Sequence, residues 1–300
     1  MRAVIAVPAT SANLGAGFDI FGVALQMQNE VEAVQTDTGT VALELADDDP
    51  PHLHDPGQNL VAVAYRSACD ELGVSVPSVL LRCVNRIPLK RGLGSSAAAA
   101  LAGTLAACAL HGAPWDENRV LDHVTALEGH RDNASAALLG GLTISAPGAP
   151  TVNMPVPEEL RAVLYVPDME LATKTARVVV ADAFSRDSAI YNASRCALLV
   201  RAIALHDHGT LRIAMQDCWH QVQRTPLFPA LPALIAAALD GGAHGAALSG
   251  AGPTVIAFAS EHAADVEASL TVAAESAGIE GRAVTLPLRN WGARVDVHGS

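Results

Sequence analysis

Cysteine is sparse and poorly placed for cross-linking. Cys69, Cys83, Cys108, Cys196 and Cys218 are odd in number, scattered and free of C-x-x-C spacing. This excludes a zinc ribbon or a disulfide-stapled secreted scaffold and suits reduced thiols in a cytoplasm. Long apolar runs are also missing. The first stops at Pro8, too short for the hydrophobic region of a signal peptide. The Ala-rich run after Ser96 is interrupted by Gly103 and Thr104 before it reaches the ~18 residues of a membrane helix. A cytoplasmic chain without a membrane segment is therefore expected. Positive charge is in deficit, with 19 Lys and Arg against 31 Asp and Glu and a net charge of −12. Such a field repels nucleic-acid backbones, so no nucleic-acid partner is expected, and a phosphate-bearing ligand needs Mg²⁺ and local cations. The eleven histidines form no H-x-x-x-H or H-E-x-x-H pair. His206-Asp-His208-Gly209 reads as the polar C-terminus of a helix, which argues against a transition-metal site. Ser249 lacks a G-x-S-x-G setting, so no acyl-transferring serine is indicated.

What is there begins with a chain of 300 residues, 50% apolar and 17% charged. This describes a globular protein of one large or two ordinary domains, burying about 75% of its unfolded surface. The segment Pro88-Leu89-Lys90-Arg91-Gly92-Leu93-Gly94-Ser95-Ser96-Ala97-Ala98 joins a strand-like run to an Ala-rich helix. Gly92 and Gly94 permit φ > 0 and a close approach of backbone to an anion. Ser95 or Ser96 stands where an N-cap belongs, and free N–H groups at the positive helix end then face the loop. Lys90 and Arg91 add formal charge beside it. Taken alone, the same residues also make a tight, capped strand-to-helix turn. A Walker loop is excluded, because no Gly-Lys-Ser or Gly-Lys-Thr occurs. Gly92-x-Gly94-x-x-Ala97 matches a loose dinucleotide fingerprint. The acid at the required spacing, Asp116, instead reads as the N-cap of another helix, which disfavours a nicotinamide cofactor.

Apolar periodicity and turn residues predict strands at 2–9, 18–36, 40–45, 79–87, 141–146, 161–166, 244–249, 253–259 and 281–287. Helices are predicted at 59–73, 95–111, 116–129, 173–180, 185–206 (closed by Gly209), 229–240 and 261–277. Four prolines between Ala146 and Glu158 mark a linker. The irregular alternation favours α+β in two halves, 1–150 and 151–300.

A second cluster, Glu128-Gly-His-Arg-Asp132-Asn133, ends the helix that carries Val120, Leu121, Val124 and Leu127 at helical spacing. Glu128 lies at the edge of that stripe, either at a solvent margin or aimed into a site. A carboxylate with a Ser hydroxyl makes a suitable hard oxygen pair for Mg²⁺. Gly245-Ala-Ala-Leu-Ser-Gly-Ala-Gly-Pro-Thr254 adds another Gly-rich turn, and Pro8-Ala-Thr-Ser-Ala-Asn-Leu-Gly-Ala-Gly-Phe-Asp19 opens the chain with a third.

Through residues 8–19, 88–98 and 245–254, the chain resembles the GHMP family of small-molecule kinases over nearly its whole length. The first motif has the form found in the homoserine-phosphorylating branch, where mevalonate-type members begin Ala-Pro-Gly-Lys. Thr173-Lys-x-Ala-Arg177, Asn192-x-Ser-Arg195 and Gln216-Asp-x-x-His220-Gln-x-x-Arg224 agree with it. Val-Gln follows that last His-Gln where Pro-Tyr is common, and residues 178–181 lack the usual Leu-Pro. The resemblance implies an N-terminal half with a left-handed βαβ fold and a ferredoxin-like C-terminal half. It implies ATP and Mg²⁺, L-homoserine as substrate, and suggests a homodimer. Residues 88–98 would wrap the ATP phosphates, with Asn59 bordering the nucleoside. Ser96 and Glu128 would hold Mg²⁺. Asn13, Asp19, Asp132, Asn133, Arg177 and Arg224 would face the substrate, with the arginines on its carboxylate, Asp19 on its ammonium, and Asp132 near its hydroxyl. Thr10 or Ser11 stands where mevalonate-type relatives carry a lysine, so orientation of the nucleophile by Asp132, helped by Asn133, is weighed above base catalysis, and both roles stay open. Two alternatives stay open: a kinase of the same family for another alcohol, and a catalytically silent binding protein of the same fold.

Overall fold

The computed structural model describes residues 1–75, 78–113 and 115–299. The N-terminal part contains β1 (Arg2–Asn13), β2 (Gly17–Gln35), β3 (Val41–Glu44), α1 (Leu60–Leu72), β4 (Val79–Val84), α2 (Ser95–Leu110), α3 (Glu117–Glu128), α4 (Asp132–Leu139), β5 (Leu142–Ile144) and β6 (Val152–Met154). There follow β7 (Arg161–Pro167), α5 (Thr173–Val178), α6 (Arg186–Ala204), α7 (Leu211–Ala214), α8 (His220–Arg224), α9 (Leu231–Asp240), β8 (Gly245–Leu248), β9 (Val255–Ala259), α10 (Ala263–Ser276), β10 (Gly281–Pro287) and β11 (Arg294–His298).

Two sheets organise these elements. The first runs β11-β1-β2-β4-β3, with β5 and β6 added beside β2, and its β3–α1–β4 crossover joins parallel strands. The second runs β10-β7-β9-β8, all antiparallel. With α10 between β9 and β10, that order is the ferredoxin-like one, and the α+β class expected from sequence is the class found. Along β7, Ala162, Leu164 and Val166 enter the larger core while Val163 and Tyr165 face a smaller one with Leu231, Leu234, Val266 and Leu270. The period-2 alternation of one strand thus serves two cores, which requires both faces to be covered.

Helix punctuation follows side-chain chemistry. Asn59 Oδ1 accepts from the Val61 amide at 2.9 Å to open α1, and Gly73 closes it at φ 69°. Asp116 accepts from the Arg119 amide at 2.8 Å to open α3, which Gly129 ends at φ 81°. At α2 the expectation of a Ser cap is corrected. The N-cap is Gly94 at φ 70°, and Ser95 and Ser96 are already helical. Gly209 does not close α6; Leu205 does, and His206 takes the left-handed turn at φ 53°. The 146–158 stretch is more than a linker, because β6 within it pairs with β5. The final strand β11 was not anticipated, and it returns to pair with β1. The division at residue 150 therefore separates the two sheets except for β6 and β11. Among the described residues no single helix is long and apolar enough to cross a membrane.

Two contacts position the site. Helix α2 is buried on nearly every side and crosses α1 at Gly103, where a Cβ would fall 2.1 Å from the Val61 carbonyl oxygen. In the other, the turn after β1 docks on the second half. His220, fully buried, donates from Nε2 to the Gly15 carbonyl at 2.8 Å and accepts at Nδ1 from Arg224 at 3.1 Å. Burial, reinforced by the neighbouring Arg224 charge, pushes the His220 pKa down to about 4 against the opposing pull of Asp217.

Gly103→Ala should lower stability by ~1–3 kcal/mol despite the ~1 kcal/mol helix-propensity gain, because overpacking a crossing point outweighs it. Chemical denaturation of the two forms measures the difference, and a stabilised variant would contradict the packing. A histidine buried neutral binds its proton only on unfolding, so its contribution is present above the ordinary value of 6.5 and is lost as pH falls toward about 4. His220→Gln should flatten the decline of stability over that window in pH-dependent melting curves. An unchanged slope would remove His220 as its source.

Candidate active site

The Gly-rich loop between β4 and α2 is locked between the other two motifs. Gly92 sits at φ 77° with space for a Cβ denied by the Ser249 carbonyl at 2.2 Å, and Gly94 by the Thr10 hydroxyl at 2.0 Å. A side chain at either position would need both a left-handed backbone and room that is filled. The Ser249 hydroxyl donates to the Gly92 carbonyl at 2.7 Å and lies 2.8 Å from the Ser11 hydroxyl. Backbone bonds from Thr10 to Leu93 (3.1 Å), from Gly250 to Ala12 (3.0 Å) and from Thr254 to Arg91 (3.3 Å) complete the lock. The N-terminus of α2 is thereby held open toward a cavity of about 260 Å³. An anion placed there meets unpaired amides and the positive helix end.

Around this cavity stand the acids. Ser96 Oγ donates to Glu128 Oε1 at 2.7 Å, so the end of α3 reaches the start of α2. Asp132 and Asn133 are buried at the first turn of α4. Asp132 Oδ1 is 3.0 Å from His130 Nδ1 and accepts from both the backbone and side-chain nitrogens of Asn133, at 2.7 and 3.2 Å. Asn133 Oδ1 in turn accepts from the Thr10 hydroxyl at 2.8 Å. Among the described residues, Asp132 Oδ2 makes no hydrogen bond. Burial opposes charging of His130, but the hydrogen bond and charge of Asp132 outweigh it and hold the imidazole pKa above its ordinary value.

The third wall is cationic. Arg224 is 2% exposed, donates from Nε to the Ala176 carbonyl at 2.9 Å and from Nη1 to the Gly250 carbonyl at 3.0 Å. Burial, then the nearby Arg177 charge, lowers its pKa to about 10. Its Nη2 makes no hydrogen bond among the described residues, so a buried guanidinium at the cavity lacks a counter-anion. Arg177 is different. It grips Asp19 with two parallel bonds of 2.9 and 2.6 Å, which raise its pKa. Asn13, between them, donates to the Gly250 carbonyl at 2.8 Å and accepts from the Asp19 amide at 3.1 Å. Phe18 supports both guanidinium groups, with ring-centre distances of 5.6 Å to Arg177 and 5.2 Å to Arg224.

Of the residues singled out from sequence, Pro88, Lys90 to Ala97, Asn13, Asp19, Glu128, Asp132, Asn133, Arg177 and Arg224 all line this one cavity. Leu89 and Asn59 line a second, of about 310 Å³, which shares Lys90, Ser95 and Ser96 with the first. Ala98 lines neither and is fully buried in the core. The side chain of Asn59 is occupied by its cap and by donation to the Leu53 carbonyl at 2.7 Å. Lys90 pairs with Glu170 at 3.1 Å, and Arg91 donates to the Leu89 and Asp168 carbonyls, so both cations are drawn toward the 168–170 turn. His130, Thr10 and Phe18 were not among the predicted site residues. His130 lay inside the Glu128 motif, so its spacing to Asp132 was the available signal.

Residues 59–141 match the family model "GHMP kinases N terminal domain" and residues 199–274 match "GHMP kinases C terminal". The chain is 36% identical over 301 residues to homoserine kinase of Synechococcus, covering 99% of this chain and 98% of that one. It is 37% identical to homoserine kinase of Desulfitobacterium hafniense, covering 97% of this chain and 99% of the relative. Among solved structures it is similar to homoserine kinase from Cytophaga hutchinsonii, with a TM-score of 0.89 at 27% identity over 98% of this chain and 97% of that one. Mevalonate kinase of Methanococcus jannaschii shares the fold at a TM-score of 0.70 and 15% identity, over 95% of this chain and 98% of that one. The chain belongs to the homoserine kinase family, within the GHMP kinases.

Proposed function

We propose that this chain transfers the γ-phosphoryl group of ATP to the side-chain hydroxyl of L-homoserine, giving O-phospho-L-homoserine and ADP in threonine biosynthesis. The observation that carries this reading is the meeting, in one cavity, of an open helix N-terminus, an acid–hydroxyl pair and a buried unpaired guanidinium. The loop 88–97 and the amides of α2 bind the phosphates, and the adjoining cavity bordered by Asn59 and Leu89 takes the nucleoside. Ser96 and Glu128 fit Mg²⁺, because their oxygens already converge at 2.7 Å and a small hard cation prefers such donors. When bound there, Mg²⁺ would offset the charge of the phosphates in a chain of net charge −12.

Homoserine carries a carboxylate, an ammonium and a primary hydroxyl. Arg224 supplies the carboxylate contact through its free Nη2, relieving the cost of a buried unpaired cation. Asp19 receives the ammonium while still held by Arg177, which fixes the carboxylate against rotation. The hydroxyl meets Asp132 Oδ2. Three donors hold Oδ1 of that carboxylate still, so its role is to orient the nucleophile in line with the γ-phosphorus. The Thr10 hydroxyl, standing at the lysine position of mevalonate-type relatives, is engaged with Asn133 and brings no cation to Asp132. Phosphoryl transfer through a loose transition state depends mainly on such positioning and charge placement.

ADP release measured with ATP and L-homoserine, mevalonate, galactose or shikimate tests the reading. Turnover confined to homoserine is expected; preference for another alcohol would overturn the substrate, and no turnover at all would favour a silent binding protein. Glu128→Gln should reduce kcat by ~10²–10³ with the fold intact, the usual effect of losing one preorganised charge-stabilising group. Unchanged kcat at saturating Mg²⁺ would remove Glu128 from that role. Arg224→Ala should chiefly raise the KM for homoserine while leaving use of an amino alcohol without the carboxylate nearly unaltered. Equal losses on both substrates would show that Arg224 does not hold the carboxylate.

A further inference from the structure

The turn that follows α6 meets the segment that enters β7, and neither lines the active-site cavity. Glu159 precedes β7, and His206 and His208 follow α6, 47 positions further along for the first pair. We propose that Glu159, His206 and His208 form a binding site for a divalent transition-metal ion of the zinc or cobalt type.

The donor atoms are already collected. Glu159 Oε1 lies 3.1 Å from His206 Nδ1 and 3.5 Å from His208 Nε2, and all three ligand atoms fall within 4.8 Å of one another. Four ligands arranged tetrahedrally at ~2.0–2.1 Å from zinc are separated from one another by ~3.3 Å. Two of the three edges therefore stand near that spacing before any ion enters. Among the described residues, His208 Nε2 is buried without a hydrogen-bond partner, although it lies 3.5 Å from the Glu159 carboxylate. A buried ring nitrogen without a partner is unusual, and an ion between it and the carboxylate would satisfy both.

Backbone and access favour the same reading. His206 stands at φ 53°, a left-handed conformation uncommon for any residue but glycine, and this turn brings both rings of the His-x-His pair to Glu159. The side chains of His206 and Glu159 are exposed, so an ion can enter and a water can complete the coordination. His244 packs its ring 5.0 Å from that of His208 and is itself anchored to Ser260 Oγ at 2.8 Å, which fixes one wall of the cluster. Two imidazoles and one carboxylate select a borderline-soft ion over Mg²⁺, so this site differs in chemistry from the Ser96–Glu128 pair. Bound there, the ion clips the end of α6 to the strand that begins the second sheet. The His206-x-His208 pair reads from sequence as a polar helix end, because the third ligand comes from a distant segment.

The test is titration of metal-stripped, full-length protein with Co²⁺ in buffer containing excess Mg²⁺, followed by visible ligand-field absorption. One Co²⁺ per chain with the bands of a four- or five-coordinate ion, displaced by Zn²⁺, is expected. His208→Ala should abolish the bands. His206→Ala, at an exposed ring that the fold does not need, should weaken binding by at least the ~10–100-fold seen for lesser perturbations of metal sites. Zn²⁺ should raise the Tm of the wild type and leave that of the His206→Ala, His208→Ala double variant unmoved. All three variants should retain kinase turnover, which certifies their folding. Absence of the bands, or equal Co²⁺ affinity in the wild type and His206→Ala, would overturn the site and leave only a surface ion pair.

Discussion

Everything at the active site depends on the close approach of Gly92 to the Ser249 backbone and of Gly94 to the Thr10 side chain. Loop 88–98 can present the α2 amides to an anion only because no Cβ intervenes between it and residues 10 and 249. The contacts are mutual: Thr10 reaches Asn133, Ser249 reaches Gly92, and Gly250 accepts from both Asn13 and Arg224. Elements separated by more than two hundred residues thus share one rigid junction. The sheets on either side serve to bring these three loops to it. Rigidity here has a chemical purpose, since a reaction governed by alignment gains from groups that need not reorganise.

The electrostatics of the cavity run against those of the chain as a whole. A net charge of −12 disfavours phosphate, yet the cavity presents oriented amides and a buried arginine rather than the acidic surface. The opposing charges are kept apart by pairing. Asp19 is neutralised by Arg177, and Asp132 is held by His130 and Asn133. Among the described residues, Arg224 makes no ion pair with an acid, and Ser96 and Glu128 bring their oxygens together at the cavity. On the proposed reading, a zwitterionic alcohol and Mg·ATP would be the partners of these two groups.

Much of this was legible in the sequence because it was written locally. Asn59 with Gly73 and Asp116 with Gly129 punctuate α1 and α3, and apolar runs mark the strands that have a buried face. Short, exposed elements left no such trace. All five residues of β11 are exposed, and β6 is only three residues long, so neither carries the alternation by which strands are recognised. At the start of α2, two serines suggested a side-chain cap, but close packing against Thr10 demanded a glycine there instead. Most residues within the motifs line the cavity, whereas Ala98 turns inward to the core. Long-range pairings were not visible: Asp19 and Arg177 were assigned to opposite ends of a substrate, yet they bind each other across 158 positions. Only the fold could reveal that, as it did for Glu159 and the two histidines.

The central claim is that nucleotide phosphates occupy the opening of α2 while the acceptor hydroxyl waits at Asp132. A crystal structure with a non-hydrolysable ATP analogue, Mg²⁺ and L-homoserine tests it most directly. Phosphate oxygens on the amides of residues 92–97, the ion touching Ser96 and Glu128, and the amino-acid carboxylate on Arg224 are expected. Nucleotide bound elsewhere, with that loop making no phosphate contact, would contradict it.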